Sequence, residues 1–281
     1  MNLSFKIDLS GHVAVVTGGG GVLCARFAEA LAACGAAVAV LDINEAAAEA
    51  VAARIRAGGG KAVGVAADCL SAESMQAAHR RVTDTLGACT ILINGAGGNH
   101  PSGTTGEEIF SPAALEAGTS FFDLQPAALQ RVMDINMTSA FITTQVFAKD
   151  MATAGRGSVI NISSMNAFRP LTKIPAYSCA KAAISNFTQW LAVYFSRSGI
   201  RVNAIAPGFF VSNQNRALLF NPDGTPSPRA QKILAATPMG RFGEADELIG
   251  PLLWLLCEDA AGFVTGTVIP VDGGFSAYAG V

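Results

Sequence analysis

A tyrosine and a lysine stand four residues apart in the segment PAYSCAKAAISNFTQWLAVYF (175–195). The apolar spacing predicts a helix on which Tyr177 and Lys181 share one face, one turn apart. An ammonium beside a phenol favours the phenolate, so we expect Lys181 to lower the Tyr177 pKa from about 10 towards working pH. Such a phenol can exchange a proton with a substrate oxygen, which suits hydride-transfer chemistry. The alternative is a surface contact between the two side chains.

Two further polar residues could join this pair. Ser164 follows a predicted strand at 158–163, and its hydroxyl could share the substrate oxygen with Tyr177. Asn136 lies within the predicted helix VMDINMTSAF (132–141), where asparagine is a poor helix former. We therefore expect Asn136 to have a role beyond packing, such as holding a water for a proton relay to Lys181.

The elements that must position these residues alternate along the chain. Short β-branched runs recur between alanine-rich helical stretches, at 13–17, 37–42, 62–68, 90–94, 158–163, 201–207 and 267–272. This alternation predicts an α/β fold with a parallel sheet of seven strands. Because the runs are apolar on both faces, we expect a doubly wound, Rossmann-type sheet with helices on both sides. The whole chain, 1–281, is interpreted as one domain.

The first predicted strand ends in a glycine turn, Thr17-Gly18-Gly19-Gly20-Gly21, and a helical pattern runs from there to Gly35. Glycines let the backbone approach a pyrophosphate closely, and the N–H groups of the helix N-terminus stabilise its charge. The alternative is a flexible turn without a ligand. The predicted dinucleotide contacts in this turn and helix are Gly18, Gly20, Gly21, Val22 and Leu23.

Asp42 ends the second predicted strand, where a carboxylate can accept hydrogen bonds from the hydroxyls of an adenosine ribose. That charge would repel a 2′-phosphate, and neither Gly21 nor Ile43 supplies a cation for one, so NAD(H) is favoured over NADP(H). In the alternative interpretation, Asp42 only caps the following helix. Further predicted cofactor contacts are Ile43, Asp68, Cys69, Asn94, Gly95, Ala96, Gly97, Tyr177, Lys181, Pro207, Gly208, Phe210 and Ser212.

Two long segments, 98–125 and 208–240, follow predicted strand ends and are expected to form the walls and lid of a substrate pocket. The alternative is surface insertions without function. Predicted substrate donors in and near them are Asn99, His100, Asn166, Lys173, Asn213, Gln214, Asn215 and Arg216. We expect Lys173 or Arg216 to bind a substrate carboxylate. Alternatively, Arg216 pairs with an acid on its own loop.

Charge and composition exclude several other classes of protein. A net charge of −2 and a pI near 5.9 give no field that attracts nucleic acid, so a small-molecule partner is expected. No signal-peptide pattern and no run of 18 uninterrupted apolar residues is present, which predicts a soluble protein off the membrane. The six cysteines stand singly, and we interpret them as reduced core residues of a cytoplasmic protein. A metal site or disulfide framework is the alternative.

These motifs together resemble those of the short-chain dehydrogenase/reductase family over essentially the whole chain. Thr17-Gly18 is similar to the start of its T-G-x-x-x-G-x-G turn, 94–97 to its N-N-A-G, and 207–208 to its P-G. The resemblance implies a catalytic tetrad of Asn136, Ser164, Tyr177 and Lys181. The sequence departs from the pattern at Val22 and Cys24, which stand where the family has its second and third glycines.

Within the family, the strings INGAGGNHP, ISSMNAFRPLTKIPAYS and APGFFVSNQNRALLF are similar to the branch of D-mannonate oxidoreductases, also called fructuronate reductases. This resemblance implies hydride transfer between nicotinamide and a sugar acid, D-mannonate or D-fructuronate. The alternatives are a dehydrogenase for another polyol or ketone, such as gluconate, and a non-catalytic NAD(H)-binding module. The resemblance also implies a homotetramer, consistent with the helical stretches 126–152 and 175–197, which are apolar on more than one side.

Overall fold

The computed structural model describes residues 7–211 and 216–280. Its centre is a seven-stranded parallel sheet in the order β3-β2-β1-β4-β5-β6-β7. The strands are β1 (Val13–Thr17), β2 (Ala37–Asp42), β3 (Ala62–Ala66), β4 (Ile91–Asn94), β5 (Gly157–Ile162), β6 (Ile200–Pro207) and β7 (Val268–Val271). The predicted sheet is confirmed, with strand ends within two residues of expectation.

Helices cover both faces of the sheet because its central strands are apolar on alternate sides. One apolar core joins the sheet to α1 (Val22–Ala33), α2 (Glu45–Ala57) and α10 (Ile249–Leu256). The other joins it to α3 (Ala72–Thr85), α6 (Ser139–Ala154) and α7 (Pro175–Tyr194). This is the doubly wound arrangement expected from the sequence.

The remaining helices are short and lie mostly in the segments between strands. They are α4 (Ala113–Ala117), α5 (Pro126–Met133), α8 (Arg216–Leu219), α9 (Pro228–Ala236) and α11 (Glu258–Ala261). A π-helical turn, Asp134–Thr138, joins α5 to α6. Such turns are rare and occur frequently at functional sites.

Two of the chain's long segments meet beside the carboxyl edge of the sheet. In the first, the Thr105 amide donates to the Lys173 carbonyl at 2.8 Å, which ties the segment to the loop before α7. The Lys232 ammonium on α9 lies 3.0 and 3.1 Å from the two carboxylate oxygens of Glu108, which joins the first segment to the second. Gly103 packs against Ala176 at the start of α7.

Three of the six cysteines are buried (Cys24, Cys89 and Cys257), and Cys34 and Cys69 are half-buried. Cys179 is exposed on α7, so the expectation that all six belong to the core is wrong for this residue. Among residues 7–211 and 216–280, no helix combines the length and the hydropathy that crossing a membrane requires. The same residues contain no cluster of metal-ligating side chains.

Candidate active site

A cleft of about 760 Å³ opens at the carboxyl edge of the sheet. The strand order reverses between β1 and β4, and open α/β sheets bind ligands at such a switch point. Residues from the ends of β1, β2, β3, β4, β5 and β6 and from α1 and α7 line the cleft. It therefore collects groups that are as far apart in the chain as Gly18 and Phe210.

The glycine turn forms one end of the cleft. Gly18 adopts a left-handed conformation with φ of 62°, and a Cβ there would lie 3.0 Å from the Ala96 backbone. Helix α1 begins at Val22, and no side chain caps its N-terminus. Its first-turn N–H groups therefore lack intrahelical partners and can bind an anion. Gly18, Gly20, Gly21, Val22 and Leu23 all line the cleft, an arrangement that fits a pyrophosphate.

The Asp42 carboxylate lies in the cleft at the end of β2. One oxygen accepts from the Gly20 amide at 3.0 Å and the other from the Asn44 amide at 2.9 Å. Asn44, not Asp42, caps α2, because its side chain accepts from the Ala47 amide. Asp42 thus holds the glycine turn and presents a negative charge there, which fits ribose hydroxyls and disfavours a 2′-phosphate.

Most other predicted cofactor residues also line the cleft: Ile43, Asp68, Cys69, Gly95, Ala96, Gly97, Tyr177, Lys181, Pro207, Gly208 and Phe210. Asn94 does not. Its side-chain amide is buried and donates to Thr144 and Asn161 at 2.9 and 2.8 Å, so it joins β4 to α6 and β5 instead. The predicted contact Ser212 lies outside the described residues.

Sequence reasoning missed several residues that line the cleft: Cys24, Ala67, Leu70, Gly98, Ile135, Ser139, Ile162, Ser163 and Phe209. Most of them adjoin a predicted residue in the chain, and this adjacency was the available signal. Ile135 and Ser139 are four positions apart beside Asn136, so the helix predicted over 132–141 puts both on one side, a signal that was not used.

Ser164, Tyr177 and Lys181 converge in the cleft. The hydroxyl of Ser164 interacts with that of Tyr177. The Lys181 ammonium lies 5.6 Å from the centre of the Tyr177 ring and donates to the Ile162 carbonyl at 2.8 Å. The structure thus brings β5 and α7 together so that a phenol, a hydroxyl and an ammonium face one space.

The expected lowering of the Tyr177 pKa is not what the structure shows. Burial raises the pKa of Tyr177 to about 12, and the interaction with Ser164 opposes this only in part. Burial also lowers the pKa of Lys181 to about 8. The reason is geometric: the ammonium points to the Ile162 carbonyl, while desolvation disfavours the charged form of both groups.

Asn136 lies in the π-helical turn, which explains an asparagine within an otherwise helical stretch. Its side chain accepts from the Gly98 amide at 3.2 Å and donates to the carbonyls of Gly98 and Val132, each at 2.8 Å. The residue is buried, with 1% of its surface exposed. The amide therefore holds the chain at Gly98 beside Lys181, and the proton relay through water stays a prediction.

The predicted substrate residues are less well placed, since none of those described lines the cleft. Asn99 donates to Thr104 at 3.2 Å, and His100 Nδ1 lies 2.7 Å from the Ser102 hydroxyl, so both serve their own loop. Arg216 is exposed, and its guanidinium lies 5.4 Å from the centre of the Phe220 ring. Asn213, Gln214 and Asn215 lie outside the described residues.

Asn166 and Lys173 hold the loop that precedes Tyr177. The Asn166 carbonyl oxygen accepts from the Leu171 amide at 2.9 Å and from the Ser178 hydroxyl at 3.4 Å. Lys173 is half-buried and has a φ of 71°, the only left-handed non-glycine residue among those described. Such a conformation costs about 1–3 kcal/mol and is typical of functional sites.

The fold and the cleft define the class of protein: the chain belongs to the short-chain dehydrogenase/reductase family and is an oxidoreductase. The family model adh_short_C2, described as enoyl-(acyl carrier protein) reductase, matches residues 22–276. An uncharacterized oxidoreductase of Haemophilus influenzae is 53% identical over 281 residues, which span 100% of this chain and 99% of that protein.

Solved structures support the same class. A crystal structure with bound NAD, of a Haemophilus influenza protein to which D-mannonate oxidoreductase activity is ascribed, is 53% identical with a TM-score of 0.94. The match covers 100% of both chains. A gluconate 5-dehydrogenase from Burkholderia cenocepacia, in complex with NADP and tartrate, is 30% identical with a TM-score of 0.81, covering 98% of this chain and 99% of that one.

Replacing Lys181 with methionine is expected to leave the folded protein at least as stable as the wild type at neutral pH, because a buried ammonium is removed. Because burial lowers the Lys181 pKa to about 8 from 10.5, the unfolded chain binds more protons at this site between those values. Wild-type stability therefore gains from this group as pH rises through that window, and the gain is absent from the variant.

Urea unfolding of both proteins in steps from pH 7 to pH 10 measures this difference. The stability advantage of Lys181→Met should shrink as pH rises. An advantage that stays constant across the series would show that the buried ammonium does not carry the effect.

Proposed function

We propose that this protein is an NAD(H)-dependent oxidoreductase that transfers hydride between nicotinamide and a secondary alcohol or ketone of a sugar acid. The observation that carries the proposal is the convergence of Ser164, Tyr177 and Lys181 in the same cleft as an uncapped helix N-terminus and Asp42. A non-catalytic NAD(H)-binding module would not need the first three residues beside the dinucleotide site.

Bound NAD(H) supplies or accepts the hydride at its nicotinamide. The chain's own residues handle the proton and the orientation of the substrate. Tyr177 passes a proton to or from the reacting oxygen, and Ser164 shares a hydrogen bond with that oxygen. Lys181 lies next to the phenol, and Asn136 fastens Gly98 beside it. The catalytic group is thus Asn136, Ser164, Tyr177 and Lys181.

For the substrate we propose D-mannonate and D-fructuronate. The three strings that resemble the D-mannonate oxidoreductase branch support this choice, as does the activity ascribed to the 53% identical NAD-bound structure. Another polyol or ketone is the second candidate, since a 30% identical relative is a gluconate 5-dehydrogenase with NADP. The Asp42 carboxylate in the cleft favours NAD(H) over NADP(H) for this chain.

An absorbance screen for NADH production over a panel of aldonic acids and neutral polyols tests the function directly. D-Mannonate should give the highest kcat/KM with NAD. A higher value for gluconate would favour the second candidate. Absence of turnover on every substrate, with NADH still bound, would favour the non-catalytic module.

The substrate carboxylate is proposed to bind at Lys173. Lys173 is a half-buried residue four positions before Tyr177, and the bond from the Thr105 amide to its carbonyl fixes its left-handed backbone. It lies within electrostatic range of Glu108, whose carboxylate pairs with Lys232 and whose pKa is lowered mainly by that pairing. A lysine in this loop can donate a charge-assisted hydrogen bond to a substrate carboxylate.

Lys173→Met is expected to lower kcat/KM for D-mannonate by about ten- to a hundredfold, the loss of one charge-assisted hydrogen bond. Activity on a neutral hexitol should change by less than about twofold. Arg216→Met is the matched control, because Arg216 is exposed and packs on Phe220. Equal losses on acid and neutral substrates, or a wild type that prefers the neutral polyol, would remove carboxylate binding from Lys173.

The proposed assembly is a homotetramer in the cytoplasm. Large apolar side chains are exposed on α6 and α7, with Phe141 at 41%, Trp190 at 58%, Val193 at 75% and Tyr194 at 68% of their surface. Contiguous apolar surface of this kind is typical of interfaces between subunits. Buried thiols such as those of Cys24 and Cys89 suit a reducing compartment.

A further inference from the structure

Two of the positions at which the sequence departs from the family pattern touch in the structure. Cys24 stands where the T-G-x-x-x-G-x-G turn has its third glycine, and Gly95 stands where N-N-A-G has its second asparagine. The first departure adds a side chain, and the second removes one. Cys24 lies in the first turn of α1 and Gly95 follows β4, so they are 71 positions apart in the chain and meet only through the fold.

The Cys24 sulfur fills the space beside Gly95. A Cβ atom built on Gly95 would lie far inside van der Waals distance of Cys24 Sγ. The Thr17 carbonyl oxygen, at 2.8 Å, would also be close to that atom. Because protein interiors are closely packed, a side chain at 95 is incompatible with the thiol at 24 unless the backbone moves.

The turn at Gly95–Gly97 lies between the dinucleotide site and the catalytic residues. On one side, the Thr17 hydroxyl accepts from the amides of Gly95 and Ala96 at 3.1 and 3.2 Å. On the other side, a Cβ on Gly97 would lie 2.5 Å from Asn136 Oδ1 and 3.4 Å from Lys181 Nζ. A displacement of this turn would therefore press on both of these residues.

We propose that Cys24 and Gly95 form a size exchange, in which the side chain added at 24 occupies the space left by the side chain removed at 95. We also propose that the Cys24 sulfur positions the Gly95–Gly97 turn against Asn136 and Lys181. Cys24 is then a positioning residue rather than a catalytic one. The second part rests on the proposed function, because it assumes that Asn136 and Lys181 serve hydride transfer. The first part concerns packing alone.

The thiol acts by its volume and not by its charge. Cys24 has 6% of its surface exposed, and burial raises its pKa to about 12. The neutral thiol is then the form present at working pH, and it behaves as a small apolar group. A substitution that keeps the side-chain volume at 24 should therefore keep the function. A substitution that changes the side-chain volume at 24 or at 95 should not.

Three variants test the exchange: Cys24→Gly, Gly95→Asn and the double variant that restores the family pair. Gly95→Asn alone should weaken NADH binding by about tenfold or more, because overpacking displaces the turn. Cys24→Gly should lower kcat by about three- to tenfold with little change in the KM for the alcohol, since the turn loses its support. The double variant should recover most of the NADH affinity lost by Gly95→Asn.

Two comparisons separate positioning from general destabilisation. Ala30→Gly, at a half-buried position in the same helix, carries the cost of a helical glycine without opening space at Gly95. Cys24→Ser keeps the size of the side chain and should retain kcat within about twofold. Equal kcat losses in Cys24→Gly and Ala30→Gly would overturn the positioning role of the sulfur.

The packing part has its own readout, which needs neither substrate nor turnover. The loss of Tm in the double variant should be smaller than the sum of the losses in the two single variants. If Gly95→Asn does not fold, Gly95→Ala and its double variant with Cys24→Gly provide the same comparison. Additive losses in Tm would overturn the exchange, whereas a wild type that fails to bind NADH would overturn the proposed function and leave the Tm test intact.

Discussion

Tyr177→Phe should lose about a hundred- to ten-thousandfold in turnover, the usual contribution of a positioned general acid or base. The phenol lies in the cleft beside Ser164 and Lys181. Of the α7 residues that line the cleft, Tyr177 alone carries a hydroxyl. NADH binding should stay within several-fold, because the proposed dinucleotide contacts are at the glycine turn and Asp42, which the substitution leaves in place. Steady-state rates and a fluorescence titration with NADH measure the two quantities separately.

Tyr194→Phe is the matched control, since Tyr194 lies on the same helix with 68% of its surface exposed. It should keep wild-type turnover. A Tyr177→Phe variant that retains more than about a tenth of the activity would remove this tyrosine from proton transfer. A large loss of NADH affinity in that variant would instead point to a structural role.

The pH profile of the wild type follows from the same geometry. With the Tyr177 pKa raised to about 12, the phenolate fraction grows about tenfold per pH unit between pH 6 and pH 10. Oxidation needs the base, so its rate should rise through this range. Reduction needs the acid form and should vary little. A flat oxidative profile would contradict the assignment, and a plateau below pH 9 would restore the lowered pKa expected from the sequence.

The second large effect is expected at Asp42. Asp42→Ala should reduce the ratio of kcat/KM with NAD to that with NADP by about tenfold or more. The change removes the carboxylate that we propose accepts from the ribose hydroxyls and repels a 2′-phosphate. It also frees the Gly20 amide, which now donates to the carboxylate at 3.0 Å, so affinity for both dinucleotides should fall.

Two variants divide this effect into its parts. Asp42→Asn keeps one acceptor oxygen without the charge, so it isolates the repulsion of the 2′-phosphate. Asp68→Asn removes a carboxylate from the same cleft at a different strand end and should leave the cofactor ratio unchanged within about twofold. An unchanged ratio in Asp42→Ala would show that this residue only shapes the glycine turn.

The sequence by itself determined the features that depend on neighbours along the chain. The runs of β-branched residues gave β1 and β2 their observed ends, because strand and helix periodicity are local properties. The four-residue spacing placed Tyr177 and Lys181 on one face of α7, because helical geometry alone decides that. The glycine turn before α1 predicted an anion site for the same reason.

The tertiary structure decided what depends on the order of the strands and on desolvation. Asn94, expected at the cofactor, instead joins β4 to β5 and α6, because its buried amide donates to Asn161 and Thr144. Burial, which no spacing reveals, raises the Tyr177 pKa and lowers that of Lys181. The contact between Cys24 and Gly95 exists only because β4 lies next to β1 in the sheet. Contacts between residues distant in the chain follow from how the strands are ordered, and no local pattern records that order.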